Sequence, residues 1–370
     1  MTRSELTVEA LSSACDREAF VEAFIRLPSA CRPEPYRVAL QDPSSTKWLL
    51  NLTLSDSHEA WLATRDGRAV GRLHANLSWT RKGVGYIGFY EVDLRESDHG
   101  DIAKALLESA SAWLEAQGTK EMYGPIDWCT WFSYRFQLPE QPDRKHGRFC
   151  WWEPVNPPEF LEHWASAGFE IVEYYHSKAT DYSDDAPMAK AESELWPASE
   201  RAMAAGYTFR PMGDAAKVLA NAQPFFDVVS NGFAENFLFE PISLELYRAS
   251  LAATVAKVDF SISWWVYAPD GTPVGFAFCF IDGDRAIGKT LVVDPAHRNK
   301  ALGPSLFRFV LSTCVEKGLN TWVSALIRQG NVSDKVTRSA ESYTNEAWRH
   351  RYVLLGKTVS ANTPSAPHAV

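Results

Sequence analysis

Hydrophobic and polar positions along this chain form two similar series of predicted strands and helices. The first series predicts strands at 60–63, 69–77, 85–92, 121–123 and 170–176 and helices at 101–117 and 158–167. The second predicts helices at 215–229, 243–256 and 304–317 and strands at 260–267, 274–281, 286–293, 321–326 and 349–356. The order hairpin, long strand, helix, strand, helix, strand thus occurs twice. This repetition predicts a duplicated mixed α/β unit.

Turn residues support these element boundaries. Asp66 and Gly67 form a typical two-residue hairpin turn between the first two strands. Gly118, Gly168 and Gly318 each follow a predicted helix, where glycine accepts the left-handed backbone that ends many helices. The predicted helices therefore end where the periodic pattern ends.

A polar, acidic segment at 183–200 separates the two series and includes Pro187 and Pro197. We interpret it as a linker with room for one short helix. It divides the chain into a predicted domain at 1–182 and a second at 201–370. A length of 370 residues fits two domains better than one core.

Composition restricts the class of protein. The chain is 46% hydrophobic and 22% charged, as in globular proteins. It has no apolar run of about 18 residues, so we predict no membrane span. Acidic residues occupy the N-terminal segment where a secretory signal needs an apolar core, which predicts a cytoplasmic protein. The net charge of −9 argues against nucleic-acid binding and suits a neutral or cationic small substrate.

The sequence lacks the motifs of several common classes of metal site and enzyme. The six cysteines are scattered, with no Cys-x-x-Cys pair or Cys/His cluster, so we predict no metal site. The chain also has no Gly-x-Ser-x-Gly, His-Glu-x-x-His or Walker motif. These absences argue against hydrolases, zinc proteases and kinases.

The segment between the strand 286–293 and the helix predicted from Pro304 has the features of an anion site. It contains Arg298 and Lys300 among small residues. Backbone N–H groups at a helix start, together with the positive end of the helix dipole, bind phosphates. The alternative is a basic turn that only begins a helix.

The same segment resembles the cofactor motif of the GCN5-related N-acetyltransferase (GNAT) superfamily. Val293-Asp294-Pro295 corresponds to the end of the family's strand, and 298–303 to its Arg/Gln-x-x-Gly-x-Gly/Ala loop, with Ala301 in place of the first glycine. The segments 228–242 and 349–357 are also similar to parts of the family, the first to uncharacterised tandem members. The resemblance implies two tandem GNAT-like domains, each an α/β fold with a mixed sheet.

The resemblance also implies acetyl-CoA or another acyl-CoA as co-substrate, with no metal. The loop amides would hold the pyrophosphate, and a splayed strand ending near 291–293 would polarise the thioester carbonyl. The residues implied in cofactor binding are Leu291, Val292, Val293, Arg298, Asn299, Lys300, Ala301, Leu302, Gly303, Pro304 and Asn331.

The first half lacks this motif. After its long strand it has an acidic loop, 93–101, with several carboxylates where phosphates would lie. Like charges a few ångströms apart repel by about 1 kcal/mol even in water. We therefore predict that the first half has lost the CoA site and serves as a scaffold that shapes the acceptor pocket.

Acyl transfer to an amine needs a neutral amine, a polarised carbonyl and a proton for the departing thiolate. Tyr343 and Tyr352 are the candidate acids, and Asp282 is a candidate base acting through water. The polar and aromatic residues Asn231, Phe233, Glu235 and Asn236 are candidates for binding the acceptor. Tyrosines on a terminal strand, turn aspartates and helically spaced phenylalanines are also common as structural residues.

These observations favour an acyl-CoA-dependent N-acyltransferase that acts on a small-molecule amine, as a monomer or homodimer and without nucleic acid. Two alternatives remain. One is a non-catalytic acyl-CoA-binding protein, which the alanine at 301 favours. The other is a tRNA-dependent aminoacyl transferase of similar fold, against which the acidic net charge argues.

Overall fold

The computed structural model describes residues 5–39, 43–52, 54–55, 57–139, 150, 152–181, 185–331, 334 and 345–359. The strands are β1 Thr7–Ala10, β2 His58–Arg65, β3 Arg68–Leu77, β4 Val84–Val92, β5 Glu121–Gly124, β6 Phe136–Gln137, β7 Glu170–Asp181, β8 Thr208–Pro211, β9 Trp264–Tyr267, β10 Pro273–Asp282, β11 Arg285–Val293, β12 Thr321–Arg328 and β13 Asn345–Thr358. The α-helices are α1 Arg17–Cys31, α2 Pro43–Leu50, α3 His99–Ala116, α4 Glu159–Ser166, α5 Asp185–Ala204, α6 Ala215–Ala220, α7 Ala222–Phe233, α8 Leu244–Val255 and α9 Leu302–Glu316. The architecture is mixed α/β, as the resemblance implied.

The chain divides into two compact units by its internal contacts. Unit 1 comprises 1–139, 154–173 and 353–370, and unit 2 comprises 140–153 and 174–352. The predicted domains, 1–182 and 201–370, assign each half of the sequence to one unit. In the structure each unit instead contains a strand segment from the other half of the sequence: 174–181 lies in unit 2 and 353–358 lies in unit 1.

In unit 1 the strands follow the order β1, β2, β3, β4, β5 and the end of β13. Every neighbouring pair is antiparallel except β4 and β5, which are parallel over Val84–Tyr86. The amphipathic helix α3 packs on β2, β3 and β4. Its buried residues, among them Ile102, Leu106 and Ala110, join the main core of this unit.

Unit 2 repeats this arrangement. Its strands follow the order β8, β9, β10, β11, β12 and the second part of β7. Again only one pair, β11 and β12, is parallel. Helix α9 takes the place of α3, and its buried residues Leu306, Val310 and Leu311 form a core with β10 and β11. The duplicated strand order and the helix after each long strand, both predicted from the sequence, are therefore present in the structure, whereas the described residues between β12 and β13 form no counterpart of α4.

The segment 183–200 was predicted as a linker with room for one short helix. In the structure residues 185–204 form the 20-residue helix α5, which is longer than that prediction. Pro197 lies inside this helix. Alanines supply helix propensity that outweighs the acidic, polar composition, and α5 packs on α9.

Five of the strands and α-helices described here were not predicted at all: β1, α1, α2, β6 and β8. Among the helices that the structure describes, none combines the length and apolar character needed to cross a membrane.

A hydrogen-bonded chain of three side chains connects β4, α4 and α3 in unit 1. The hydroxyl of Tyr90 lies 2.8 Å from Nδ1 of His163, and Nε2 of His163 lies 2.8 Å from Nδ1 of His99. Burial, with a smaller contribution from His99, lowers the pKa of His163 from 6.5 to about 4. His163 is therefore neutral in the folded protein at neutral pH.

We expect this histidine to make unit 1 sensitive to acid. Because the unfolded chain binds a proton at His163 near pH 6.5 and the folded chain only near pH 4, stability falls as the pH falls through this window. The expected decrease in the free energy of unfolding is about 3 kcal/mol, since each unit of pKa shift corresponds to about 1.4 kcal/mol. Thermal unfolding followed between pH 7 and 4 measures it. A His163→Gln variant should show a shallower acid slope, and an equal slope in both proteins would contradict the assignment.

Candidate functional site

The two parallel strands of unit 2 separate part of the way along their length. Their register runs from Arg285–Thr321 to Gly288–Ser324, and among the described residues it continues no further. Beyond this point β11 keeps its pairing with β10 up to Val293, while β12 pairs with β7. The space between 289–293 and 325–328 is called the slot below.

Irregularities in both strands produce the slot. A β-bulge in β11 makes Lys289 an extra residue opposite Phe278 and Cys279. On β12 the register shifts between Ser324 and Ile327, and Leu326 has a φ of 52°. Its N–H donates to Oγ of Ser177 on β7, at 2.8 Å, and thus turns away from β11. Bulges of this kind bend strands and end their pairing.

The predicted anion loop lies directly after β11, at the end of the slot. Helix α9 begins at Leu302, two residues before the predicted start at Pro304. Its cap residue, Ala301, has no side-chain group that could accept a hydrogen bond from the first turn. Since Pro304 has no N–H, the amides of Leu302 and Gly303 are left to donate out of the helix. Together with the dipole of a 15-residue helix, they suit an anion.

Space around the loop also fits a phosphate group. Arg298, Asn299 and Lys300 are exposed. A β-carbon added at Gly303 would approach only Leu291, at 3.7 Å. The loop is therefore open and basic, as a binding site for a phosphate group requires.

The alanine at position 301 adopts the backbone conformation that the family's glycine would provide. Its φ is 59°, in the left-handed region. An alanine in this region costs roughly 1–2 kcal/mol. The departure from the family motif thus preserves the shape of the loop, at the expense of local strain.

Part of the predicted acceptor set lies beside this loop. Nδ2 of Asn231 donates to Asp294 at 3.1 Å. Arg298 donates to the carbonyl of Gly232 at 3.0 Å and lies 3.4 Å from Glu235. The end of α7 is therefore attached to the loop. Phe233 ends α7, and its carbonyl accepts from the N–H of Asn236 at 2.8 Å.

The equivalent position in unit 1 is closed. After β5 the chain continues across β4: the N–H of Ile126 donates to the carbonyl of Ile87 at 2.8 Å, and the N–H of Phe89 donates to the Asp127 carboxylate at 2.6 Å. A β-carbon on Gly88 would lie 2.1 Å from the carbonyl oxygen of Ile126. Residues 126–127 thus occupy the space that is the slot in unit 2.

The acidic loop of unit 1 is neutralised by arginines of the same unit. Arg65 contacts Asp98 at 2.7 Å and Glu96 at 2.5 Å. Asp93 is contacted by Arg68 at 2.7 Å and by Arg95 at 2.8 Å. Burial alone would raise the pKa of Asp93, but hydrogen bonds from these two arginines lower it below its usual value. The carboxylates of the chain therefore occupy the place where a phosphate would need donors.

The candidate catalytic residues have different surroundings. Tyr352 is fully buried on β13, and burial together with the charge of Glu153 raises its pKa well above the usual value. Asp282 is about half exposed and accepts a 2.5 Å hydrogen bond from Arg285, as a turn aspartate. Tyr343 lies outside the described residues. Asn331 is exposed, and its side chain accepts from the N–H of Asp334 at 2.7 Å.

The structure adds Glu153, which the sequence did not indicate. Trp152 packs edge-on against Phe280, with ring centroids 4.8 Å apart. Phe280 lies on the same face of β10 as Phe276, whose ring contacts Phe225 of α7. Trp152 is thereby brought to the α7 face of unit 2, and the next residue, Glu153, is buried in the same unit although both come from the first half of the sequence. No local motif marks this position.

Among the described residues, no group of three or more histidine, cysteine or acidic side chains is arranged to hold a metal ion.

Comparison with known proteins agrees with this geometry. Residues 231–333 match the family model of the GNAT acetyltransferases, a range that contains the end of α7, the slot and the anion loop. No curated protein matches the chain in sequence. The chain thus carries a GNAT-family domain in its second half.

Solved structures extend the likeness to the whole chain. A tandem GNAT protein from the clavulanic acid biosynthesis pathway is 13% identical, with a TM-score of 0.50, over 96% of this chain and 98% of the other. A probable N-acyltransferase from Enterococcus faecalis V583 is 11% identical, with a TM-score of 0.57, over 96% and 73%. A GNAT protein from Anabaena variabilis ATCC 29413 is 12% identical, with a TM-score of 0.56, over 94% and 72%. The fold is that of tandem GNAT proteins, and it supports acyl-CoA-dependent acyl transfer in general.

Proposed function

We propose that this protein is an acyl-CoA-dependent N-acyltransferase whose reaction takes place in unit 2. Acetyl-CoA, or another acyl-CoA, would place its pyrophosphate at the amides of Leu302 and Gly303. Its thioester arm would lie in the slot, against the edge of β11 that has no ladder partner in β12. The acceptor amine would approach from the α7 face.

The observation that carries the proposal is the contrast between the two units. In unit 2 the parallel strands separate immediately before an open, basic helix N-terminus. In unit 1 the corresponding space is filled by 126–127, and its loop carboxylates are paired with arginines. This contrast supports one site per chain for an anionic, elongated co-substrate.

Tyr352 is the residue we assign to protonation of the leaving group. The amine nitrogen forms a bond with the thioester carbon and loses one N–H proton to water, the carbon–sulfur bond breaks, and the thiolate of CoA takes a proton from the phenol, which water then reprotonates. A phenol whose pKa is raised by burial keeps its proton at neutral pH and can donate it in a water-poor site. The hydroxyl of Ser177 accepts a hydrogen bond from the N–H of Leu326 at the slot. A hydrogen bond between Ser177 and Tyr352 partly offsets the rise in the pKa of Tyr352.

The proposal includes the nature of the acceptor and the assembly. The acceptor would be a small-molecule amine rather than an aminoacyl-tRNA, in agreement with the net charge of −9. The protein would act in the cytoplasm as a monomer or homodimer.

Titration calorimetry with acetyl-CoA and with longer acyl-CoAs tests the proposal. We expect one binding site per chain, with a negative heat-capacity change from burial of the acyl arm. Absence of binding would refute the proposal, and two sites would contradict the closure of unit 1. Thiol release in the presence of amines separates a transferase from a protein that only binds acyl-CoA. A tRNA-binding assay tests the other alternative.

A further inference from the structure

The slot ends at a tryptophan ring. Gly288 of β11 and Ser324 of β12 form the last paired row of the two parallel strands. Trp322 precedes Ser324 by two residues, so both side chains lie on the same face of the sheet. A β-carbon added at Gly288 would lie 2.4 Å from Cζ2 and 2.9 Å from Cη2 of the Trp322 ring. The ring therefore covers the last paired row and closes this end of the slot on the α9 face.

The Trp322 ring is held in place from two sides. Its Nε1 donates to Oγ of Ser324 at 2.8 Å. Its face is approached edge-on by Phe307 of α9, with ring centroids 5.1 Å apart. Trp322 is 7% exposed and belongs to the hydrophobic core of unit 2. Rotation of the ring away from Gly288 would thus break a hydrogen bond and several core contacts.

The opposite face of the sheet is also closed at this end. Ile287 and Val323 form the row directly before the last one, and their side chains point to the α7 face because strand side chains alternate. Both are 0% exposed. Phe280, the partner of Ile287 on β10, is buried as well. In the described structure, no open space therefore adjoins this row on the α7 face.

The length of the slot matches the arm of an acyl-CoA. The start of α9 lies over Leu291, which a β-carbon at Gly303 would approach to 3.7 Å. From 291 to 288 the strand covers roughly 10 Å, at about 3.3 Å per residue. The arm between the pyrophosphate and the sulfur has about 13 bonds and spans roughly 15 Å when extended, since three backbone bonds span about 3.6 Å. An arm that starts at the anion loop is thus long enough to bring the thioester to the closed end.

We propose that Trp322 limits the length of the acyl group, so that the protein uses acetyl-CoA and propionyl-CoA and excludes acyl-CoAs with long chains. The inference rests on the proposed function. An acyl chain that continues in the direction of the arm meets the Trp322 ring. A long chain would have to bend out of the slot, which would move its thioester away from the edge of β11. Trp322 therefore selects by steric exclusion rather than by an attractive contact.

The Trp322→Leu variant tests this role because it opens the closed end and keeps an apolar side chain in the core. Titration calorimetry of the full chain with acetyl-CoA and hexanoyl-CoA needs no acceptor. In the wild type we expect the Kd for hexanoyl-CoA to exceed that for acetyl-CoA about 10-fold or more. In Trp322→Leu this ratio should fall to about twofold or less, while the Kd for acetyl-CoA stays close to that of the wild type.

Trp264→Leu is the matched control. Trp264 on β9 packs against the same core, and its Nε1 also donates to a hydroxyl, Oγ1 of Thr313, at 3.0 Å. Loss of this indole should lower the Tm, as in Trp322→Leu, but should leave the ratio of the two Kd values unchanged. Thermal unfolding compares the stability of the two variants.

A second variant, Ser324→Ala, removes the hydrogen bond to the Trp322 ring without emptying the core. It should lower the ratio about twofold or more, and it provides the test if Trp322→Leu does not fold. Equal Kd values for hexanoyl-CoA and acetyl-CoA in the wild type, or a wild-type ratio in the folded variants, would overturn this inference alone. Absence of binding of both acyl-CoAs by the wild-type protein would instead overturn the proposed function.

Discussion

We expect the Gly303→Asp variant to lose acetyl-CoA binding while the protein remains folded. A side chain at this position has space, because an added β-carbon would approach only Leu291, at 3.7 Å. An aspartate in the first turn of α9 also interacts favourably with the helix dipole, by roughly 0.3–1 kcal/mol. The substitution therefore does not threaten the fold.

The same carboxylate would lie where we place the pyrophosphate. Two unit charges about 4 Å apart repel by about 1 kcal/mol in water and about 4 kcal/mol near a protein surface. With more than one phosphate charge nearby, we expect the Kd for acetyl-CoA to rise about 100-fold or more. The loss should shrink at high salt only in part, because the charges lie within a Debye length.

Titration calorimetry with acetyl-CoA measures the loss of affinity, and thermal unfolding separately measures whether the variant keeps its stability. Gly303→Asn is the matched control, similar in size but uncharged, and it should bind acetyl-CoA more tightly than Gly303→Asp. Unchanged affinity in Gly303→Asp would mean that the anion loop does not hold the co-substrate.

The second large effect concerns unit 1. We expect Gly88→Ala to destabilise this unit by about 3 kcal/mol or more, at the upper end of overpacking effects. The added β-carbon would lie 2.1 Å from the carbonyl oxygen of Ile126, 2.5 Å from its carbonyl carbon and 2.8 Å from Cα of Asp127. These are backbone atoms held by hydrogen bonds to β4, so they cannot move aside like the end of a flexible side chain.

Thermal unfolding tests this prediction, with an expected decrease in Tm of roughly 6–12 °C for a unit of this size. Gly100→Ala is the control, because a β-carbon at Gly100 meets nothing within 4 Å and lies in helix α3. It should be neutral or slightly stabilising. A Tm in Gly88→Ala equal to that of Gly100→Ala would show that 126–127 do not cover β4.

Together, Gly303→Asp and Gly88→Ala test why we propose acyl-CoA binding in only one of the two units. Unit 1 keeps the strand order and the helix after its long strand, but 126–127 fill the space between its parallel strands. Its loop carboxylates are paired with Arg65, Arg68 and Arg95. Unit 2 keeps both the slot and an open loop.

Much of this fold could be predicted from local patterns. Short apolar runs between turn residues predicted β3, β4, β10 and β11 nearly at their observed bounds, because strands that are largely buried on both faces of a sheet have few polar positions. The glycines after α3, α4 and α9 indicated the helix ends, and all three have a positive φ. Helix α5 was missed because its residues are polar, and its packing on α9 is a property of the tertiary structure.

The candidate site could be predicted only in part. Asp294, the loop 298–303 and α9 follow one another along the chain, so the basic loop and the helix start after it could be predicted from the local sequence. The sequence by itself determined the repeated strand order, the basic loop before α9 in the second half, where we predict an anion site, and the acidic loop of the first half. These features depend on neighbours along the chain.

Only the tertiary structure decided which strands complete each unit, that the space between the parallel strands is open in unit 2 and filled in unit 1, and that Glu153 is buried in unit 2. Residues 174–181 and 353–358 join sheets assembled mainly from the other half of the sequence. The hydrophobic pattern of a strand indicates that the strand is buried but not which strand is its neighbour. Partner choice depends on contacts between residues distant in sequence, and His350 and Glu153, far apart along the chain, meet for the same reason.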